Sequence, residues 1–178
     1  SDRDRMHDPA LAGGALLDLG IYSLTFADLF LTDPEIGGQG NHIVQTKSAC
    51  VKFHTGVDAT DWIDLAYANG QVAHLKTSMV APLKNDGTIF GTEGFIRVQN
   101  LNDMVEIQLF DVAGTLVESV TPPRIENCYE YEVLGCKAAL EKGLKECPEM
   151  PHAKTMQMMT QMDKLRESWG VSYPFELS

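Results

Sequence analysis

Gly13-Gly14-Ala15-Leu16-Leu17-Asp18-Leu19-Gly20-Ile21-Tyr22 is the stretch around which this chain is organised. Apolar residues continue beyond it at Leu24, Phe26, Ala27, Leu29 and Phe30, a spacing that predicts a helix over 12–31. Thr32-Asp33-Pro34 ends that helix, because proline disfavours helix in the residue before it. Asp18 and Tyr22 stand four apart and would share one helix face. Read from residue type alone, Asp18 is an acid near a helix N-terminus and Tyr22 an aromatic on a core face. The glycine pair is less easily explained, since each glycine in a helix interior costs about 1 kcal/mol. What glycine offers is close approach of another backbone or of a ligand.

Downstream the period changes. Segment 42–53 alternates through Ile43, Val44 and Val51, and 61–67 through Trp62, Ile63, Leu65 and Tyr67. Asn69-Gly70 is a strong hairpin signal joining the second of these to a strand over 72–80. Lys84-Asn85-Asp86-Gly87 turns the chain into Ile89-Phe90 and then Phe95-Ile96-Val98. Val105, Ile107 and Leu109 alternate, and Ala113-Gly114 leads to Leu116 and Val120. Two helices follow the proline break at Thr121-Pro122-Pro123. The first spans 129–145, with Tyr129, Val133, Cys136, Ala139, Leu140 and Leu144 on its apolar side; the second spans 152–169, closed by Gly170 at a C′ position. Met156, Met159, Met162 and Leu165 form an expected core stripe on that helix, with Lys164, Arg166 and Glu167 on its solvated face. Helix, run of strands, pair of helices is an α+β order. The expectation is one domain over 1–178, an open, mostly antiparallel or mixed sheet of at least five strands with helices on one face. The other face would then expose residues such as Trp62, Leu65 or Tyr67, and a two-fold dimer would cover it.

Composition narrows the function. A formal net charge of −11, from 14 Lys+Arg against 25 Asp+Glu, argues against nucleic acid and anionic membrane as partners. No apolar run is expected to approach the ~20 residues of a membrane span, and no signal peptide is evident, so a cytoplasmic protein is expected. Cys50, Cys128, Cys136 and Cys147 have no C-x-x-C spacing and read as reduced thiols. His7 and Asp8 supply two ligand types without a third at regular spacing, so no metal is assigned. No strand–G-x-G-x-x-G–helix unit for a dinucleotide is present.

The opening stretch resembles the motif that begins the C-terminal domain of the glucose–fructose oxidoreductase / inositol dehydrogenase (Gfo/Idh/MocA) family. That motif is a glycine pair followed by Leu, Asp and Gly, with His or Tyr last. Tyr at the last position points to the dihydrodiol dehydrogenase / glucose–fructose oxidoreductase branch. Further matches come in order: His54-Thr55-Gly56-Val57-Asp58, Ile89-Phe90-Gly91-Thr92-Glu93-Gly94-Phe95-Ile96, Tyr131-Glu132, Leu144-Lys145-Glu146-Cys147-Pro148, and Trp169-Gly170-Val171-Ser172-Tyr173-Pro174. The resemblance implies a dihydrodipicolinate-reductase-like C-terminal domain cut from a longer enzyme, with the N-terminal nucleotide-binding domain absent from this chain. It further implies hydride transfer between NADP or NAD, bound mainly by the missing domain, and a sugar, polyol or diol.

In that family the last motif residue, here Tyr22, serves as proton donor or acceptor at the reacting oxygen. Asp18 would orient it or bind a substrate hydroxyl, and Gly14 and Asp58 are the implied substrate-binding positions. A phenol with a reference pKa near 10 needs a nearby cation to work at neutral pH, and the family's lysine lies in an E-K-P segment that this chain lacks. The isolated chain is therefore expected to be inactive. By residue type alone, segment 54–58 is a turn between strands with Gly56 at positive φ. A non-catalytic α+β binding or assembly module is the alternative to an enzyme.

Overall fold

A computed structural model describes residues 4–32, 40–102, 104–123 and 129–176. The chain divides into two compact units, one of Ser1–Leu83 with Gln157–Ser178 and one of Lys84–Met156. The expected glycine-rich loop over 36–41 lies, up to residue 39, outside the described residues, as does Cys128.

The first unit begins with a short 3₁₀ turn, Pro9–Leu11, capped by Asp8, whose carboxylate accepts from the N–H of Ala10 at 2.8 Å. One turn of π-helix, Leu16–Gly20, then runs directly into α1, Ile21–Leu31. Taken together, Pro9–Leu31 is long and apolar enough to cross a membrane by length and composition, which corrects the expectation that no segment approaches that size. Here Leu16, Leu24 and Ala27 of that segment lie in a protein core. Three antiparallel strands follow: β1 (Ile43–Lys52), β2 (Asp58–Tyr67) and β3 (Val72–Ser78), in spatial order β1-β2-β3. The Asn69-Gly70 turn forms as expected: Gly70 has φ +88, and Asn69 Oδ1 accepts from the N–H of Gln71 at 3.0 Å.

Alternation decides which side of this sheet is buried. Ile63, Leu65, Tyr67 and Ala73 point inward and meet Leu16, Leu24, Ala27, and Met158, Met162 and Leu165 of the last helix. Leu65 and Tyr67 therefore belong to the core, correcting their expected place on the open face, while Trp62, one step out of phase, stays 40% exposed. On the open face Trp62 stands between Ala49 and Lys76, and Asp64 between Lys47 and His74.

The second unit holds β4 (Gly87–Phe90), β5 (Gly94–Gln99), β6 (Glu106–Asp111) and β7 (Leu116–Val120), all antiparallel in sequence order, followed by α2 (Glu130–Glu141). Phe90, Phe95 and Phe110 line up across three strands, with Phe95 and Phe110 stacked at 4.7 Å. The α+β class and the antiparallel pairing are as expected. A single sheet of at least five strands is not: the seven strands form sheets of three and four. The break follows β3, where Ser78 Oγ accepts from the N–H groups of Val80 and Ala81 at 3.2 and 3.0 Å and bends the chain away. Pro82, with no N–H to donate, follows at once.

Helix α3 occupies His152–Trp169, as the sequence predicts, and Gly170 closes it at φ +64. Its buried stripe is Met158, Met162 and Leu165, at steps of four and three, and not the strict three-residue series. Met156 and Met159 are exposed, and Arg166, expected on the solvated face, is buried. A step of three falls short of the 3.6-residue turn and drifts around the helix, so a period-three series cannot stay on one face.

Candidate active site

Within the first unit, the opening stretch is held by β2. Asp58 is completely buried, and its Oδ2 accepts from the N–H of Leu16 at 2.6 Å. Helix starts leave N–H groups unpartnered and carry partial positive charge, so a carboxylate there both caps and neutralises. No side chain at the start of the π turn does this locally; the cap comes from 42 positions downstream. Gly14 explains its own presence. It has φ +132, and a Cβ at that position would overlap Asp58 Oδ1. Gly13 likewise leaves no room for a Cβ, which would lie 2.7 Å from the carbonyl oxygens of Arg5 and Met6. The glycine pair thus serves close approach of another part of the same chain. The two implied substrate-binding residues, Gly14 and Asp58, are packed against each other.

Asp58 reaches this position through a β-bulge. Val51 pairs with Thr60 but Lys52 pairs with Asp58, so Ala59 is an extra residue in β2. The bulge reverses the alternation and turns Asp58 to the same inner face as Asp61 and Ile63. Asp61 is also fully buried, and neither of its oxygens meets a protein donor among the described residues. Oδ1 of Asp58 is in the same state. One proton held on Asp61 and donated to Asp58 partners two of these three oxygens. Burial above all, then the charge of Asp58 and the hydrogen bond with it, push the Asp61 carboxyl from 3.8 up to about 8. Cys50, paired with Asp61 across the strands, is pushed up to about 11 by burial and by the charges of Asp61 and Asp58, with Lys52 opposing.

The chain's C-terminal segment closes over the same corner. Tyr173 is buried and its hydroxyl donates to Gly13 O at 2.9 Å. Burial and then the charge of Asp58 push its phenol up to about 12. The guanidinium of Arg166 lies 4.6 Å from the Tyr173 ring and grips both carboxylate oxygens of Glu176 at 3.1 and 2.8 Å. Lys52 Nζ donates to Gly170 O at 2.8 Å, and Trp169 Nε1 donates to Ser48 Oγ at 2.9 Å. The sequence reading missed Asp61, Arg166 and Tyr173 as supports of the motif. Two of them sit more than a hundred residues away, where spacing carries no signal.

Asp18 and Tyr22 stand on the outer side of this supported stretch. Asp18 lies in the π turn and pairs with Arg5 Nη2 at 2.7 Å. Tyr22 is in the first turn of α1 and is 49% exposed, which removes the reading of it as a core aromatic. Among the described residues no hydrogen bond joins Asp18 to Tyr22; the partner of Asp18 is Arg5. π turns are rare and recur at functional sites because they re-aim side chains. The turn at 54–56 forms with Gly56 at φ +95, and Phe53 packs on His7 at 4.3 Å between ring centres. No group of three or more His, Cys, Asp or Glu residues that could hold a metal occurs among the described residues.

A family model described as the GFO/IDH/MocA C-terminal domain matches residues 1–97, the range that carries Gly14, Asp18, Tyr22, Asp58 and Asp61. The chain belongs to the GFO/IDH/MocA oxidoreductase family. Curated relatives include the trans-1,2-dihydrobenzene-1,2-diol dehydrogenases of Macaca fuscata fuscata, 32% identical over 177 residues, and of Homo sapiens, 30% identical over 177 residues. Each alignment covers 96% of this chain and 50% of the relative, so the chain spans about half the length of the curated relatives it matches. Among solved structures, the aldose-aldose oxidoreductase from Caulobacter crescentus complexed with glycerol aligns with TM-score 0.74 and 15% identity, over 94% of this chain and 49% of that one. A mutant 3-ketoreductase from Actinomadura kijaniata in complex with TDP-benzene and NADP aligns with TM-score 0.75 and 18% identity, again over 94% and 49%. These two likenesses place the GFO/IDH/MocA chain in that fold.

Proposed function

We propose that this chain is the substrate-facing half of an NAD(P)-dependent oxidoreductase acting on a sugar, polyol or trans-dihydrodiol. The observation that carries the reading is Tyr22, a half-exposed phenol in the first turn of α1, directly after a glycine-flanked turn that is anchored from β2 and from the C-terminal segment. Hydride exchange with the substrate carbon is the chemistry that a nicotinamide supplies when bound. The share of this chain is the proton: Tyr22 gives it to, or takes it from, the reacting oxygen. The Asp18–Arg5 pair offers an acceptor and donors for a neighbouring substrate hydroxyl. Gly14 and Asp58 position the stretch and stay out of contact with substrate.

The dinucleotide is assigned to a part of the protein outside this chain. A glycine-flanked helix start is the usual cradle for its phosphates. The one in this unit is occupied by the Asp58 carboxylate, whose charge would repel them. The cation that a phenol needs to work near neutral pH is assigned to that same part, so catalysis on this reading requires the two parts together.

A homodimer through the open face of the three-stranded sheet accompanies this reading. Trp62, Val51 and Val72 are exposed on that face, beside Lys47, Asp64, His74 and Lys76. The test of the function is a panel of sugars, polyols and trans-dihydrodiols offered with NADP and with NAD. The full-length protein should turn over at least one of them, and the 178-residue chain alone should turn over none. Turnover by this chain alone would overturn the assignment.

A further inference from the structure

Cys136 and Cys147 lie eleven positions apart in sequence, with their sulfur atoms 3.9 Å apart. Cys136 is exposed on α2, and Cys147 is partly exposed in the connector before α3. The fold builds this meeting. Helix α2 ends at Glu141, Gly143 reverses the chain at φ +67, and Leu144 N–H returns to Ala139 O at 2.9 Å. The connector folds back on itself, with Cys147 bridged to Met150 and Met150 N–H bonded to Cys147 O at 3.1 Å. The next link is the start of α3, where Glu146 Oε2 accepts from His152 N–H at 2.7 Å. Two thiols held this way are both reachable from solvent.

We propose that Cys136 and Cys147 form a reversible dithiol–disulfide site, oxidised by a small disulfide of the glutathione class, that fastens the middle of α2 to the turn that caps α3. The step proceeds by exchange. The Cys136 thiolate attacks one sulfur of glutathione disulfide, forming a mixed disulfide and releasing one glutathione thiolate. Cys147 loses its proton and attacks the Cys136 sulfur, releasing the second. Two protein thiols are oxidised by two electrons, one disulfide is reduced to two thiols, and the two protons go to water or to the leaving thiolates. The sulfurs must close from 3.9 Å to a bond of about 2.0 Å, a shift within reach of side-chain rotation. Cys136 is the more exposed sulfur and the first nucleophile, and a hydrogen bond joins it to the Cys147 thiol. The same hydrogen bond is the main cause that raises the Cys147 thiol, and it is lost once Cys136 is capped, which frees Cys147 to resolve the intermediate.

The test is alkylation-trapped peptide mapping of the purified protein that carries this chain, equilibrated in graded mixtures of reduced and oxidised glutathione. A peptide pair joining Cys136 to Cys147 should accumulate as the oxidised fraction rises and vanish with dithiothreitol. Its stability against reduced glutathione should exceed that of the same pair in urea by at least roughly tenfold, because the fold supplies the proximity. Cys147→Ser should stop at a glutathione adduct on Cys136. Amide exchange in the connector and first turn of α3 should slow on oxidation. Both thiols remaining free, or ending as separate glutathione adducts, would overturn the proposal. So would a bond from either one to Cys50 or Cys128, or a pair no more stable folded than in urea.

Discussion

The carboxylate of Asp58 accepts from the backbone N–H of Leu16 at 2.6 Å, entirely out of solvent, and this one bond fastens the glycine-flanked motif to the sheet. Asp58→Ala leaves a buried N–H without a partner and removes a helix cap. Losses of this type are each about 1–3 kcal/mol. Urea unfolding of the variant should show a drop in that range with an unchanged slope. Asp58→Asn retains an acceptor oxygen and should lose less; an equal loss would place the effect in the charge instead.

Asp61 sets a pH dependence. Its carboxyl is held from 3.8 up to about 8 in the folded protein, so the native state keeps a proton that the unfolded chain releases. The stability that Asp61 contributes is therefore fully present below about pH 4, falls as pH rises, and is gone above about pH 8. Asp61→Asn cannot ionise, and its amide can still donate to Asp58 Oδ1. The variant should flatten that slope and be more stable at pH 8 by on the order of 1–4 kcal/mol. Thermal melts between pH 4 and 9 check this, and an unchanged slope would remove the shared proton.

Gly14 and Gly56 separate two costs of positive φ. Both carry it, at +132 and +95, but a Cβ on Gly14 meets Asp58 whereas one on Gly56 meets nothing within 4 Å. Gly56→Ala should cost about 1–2 kcal/mol from the backbone alone. Gly14→Ala should cost clearly more, by displacing Asp58 from Leu16. Equal melting temperatures for the two would contradict the packing argument.

The open sheet face separates assembly from folding in the same way. Trp62→Glu changes a 40%-exposed side chain and should weaken the proposed dimer while leaving the melting temperature of the monomer within a few degrees. Leu65→Ala empties a core position and should cost about 2–5 kcal/mol. Light scattering that finds the wild-type protein monomeric at micromolar concentration would remove the dimer.

The elements were largely legible in the sequence because alternation and helical spacing are local. β2, β3, the Asn69-Gly70 turn and the bounds of α3 follow from them. What failed depended on relationships that no local pattern carries. Alternation does not say which strands are neighbours, so the division after Ser78 was not visible. The parity of Asp58 depends on one bulged residue, Ala59, without which it would face the other side. The methionines misled because a step of three lags the helical turn by about 60° each time, which carries the series from the exposed Met156 to the buried Leu165 within three turns. In the candidate site, Gly14, Asp18, Tyr22 and Asp58 were singled out through the family motif, but the contacts they make were not legible. That needed the Arg5 ion pair, the buried Asp61 and the hydroxyl of Tyr173 at Gly13.

The central claim is that Tyr22 moves the proton at the reacting oxygen, and its most direct test is steady-state kinetics of Tyr22→Phe in the full-length protein. The change removes one hydroxyl from a half-exposed ring, so melting temperature and cofactor affinity should hold. A positioned acid–base group is worth roughly 10²–10⁴-fold, so kcat should fall by that factor with little change in KM. A Tyr22→Phe enzyme that keeps near-normal kcat, with the fold intact, would contradict the account.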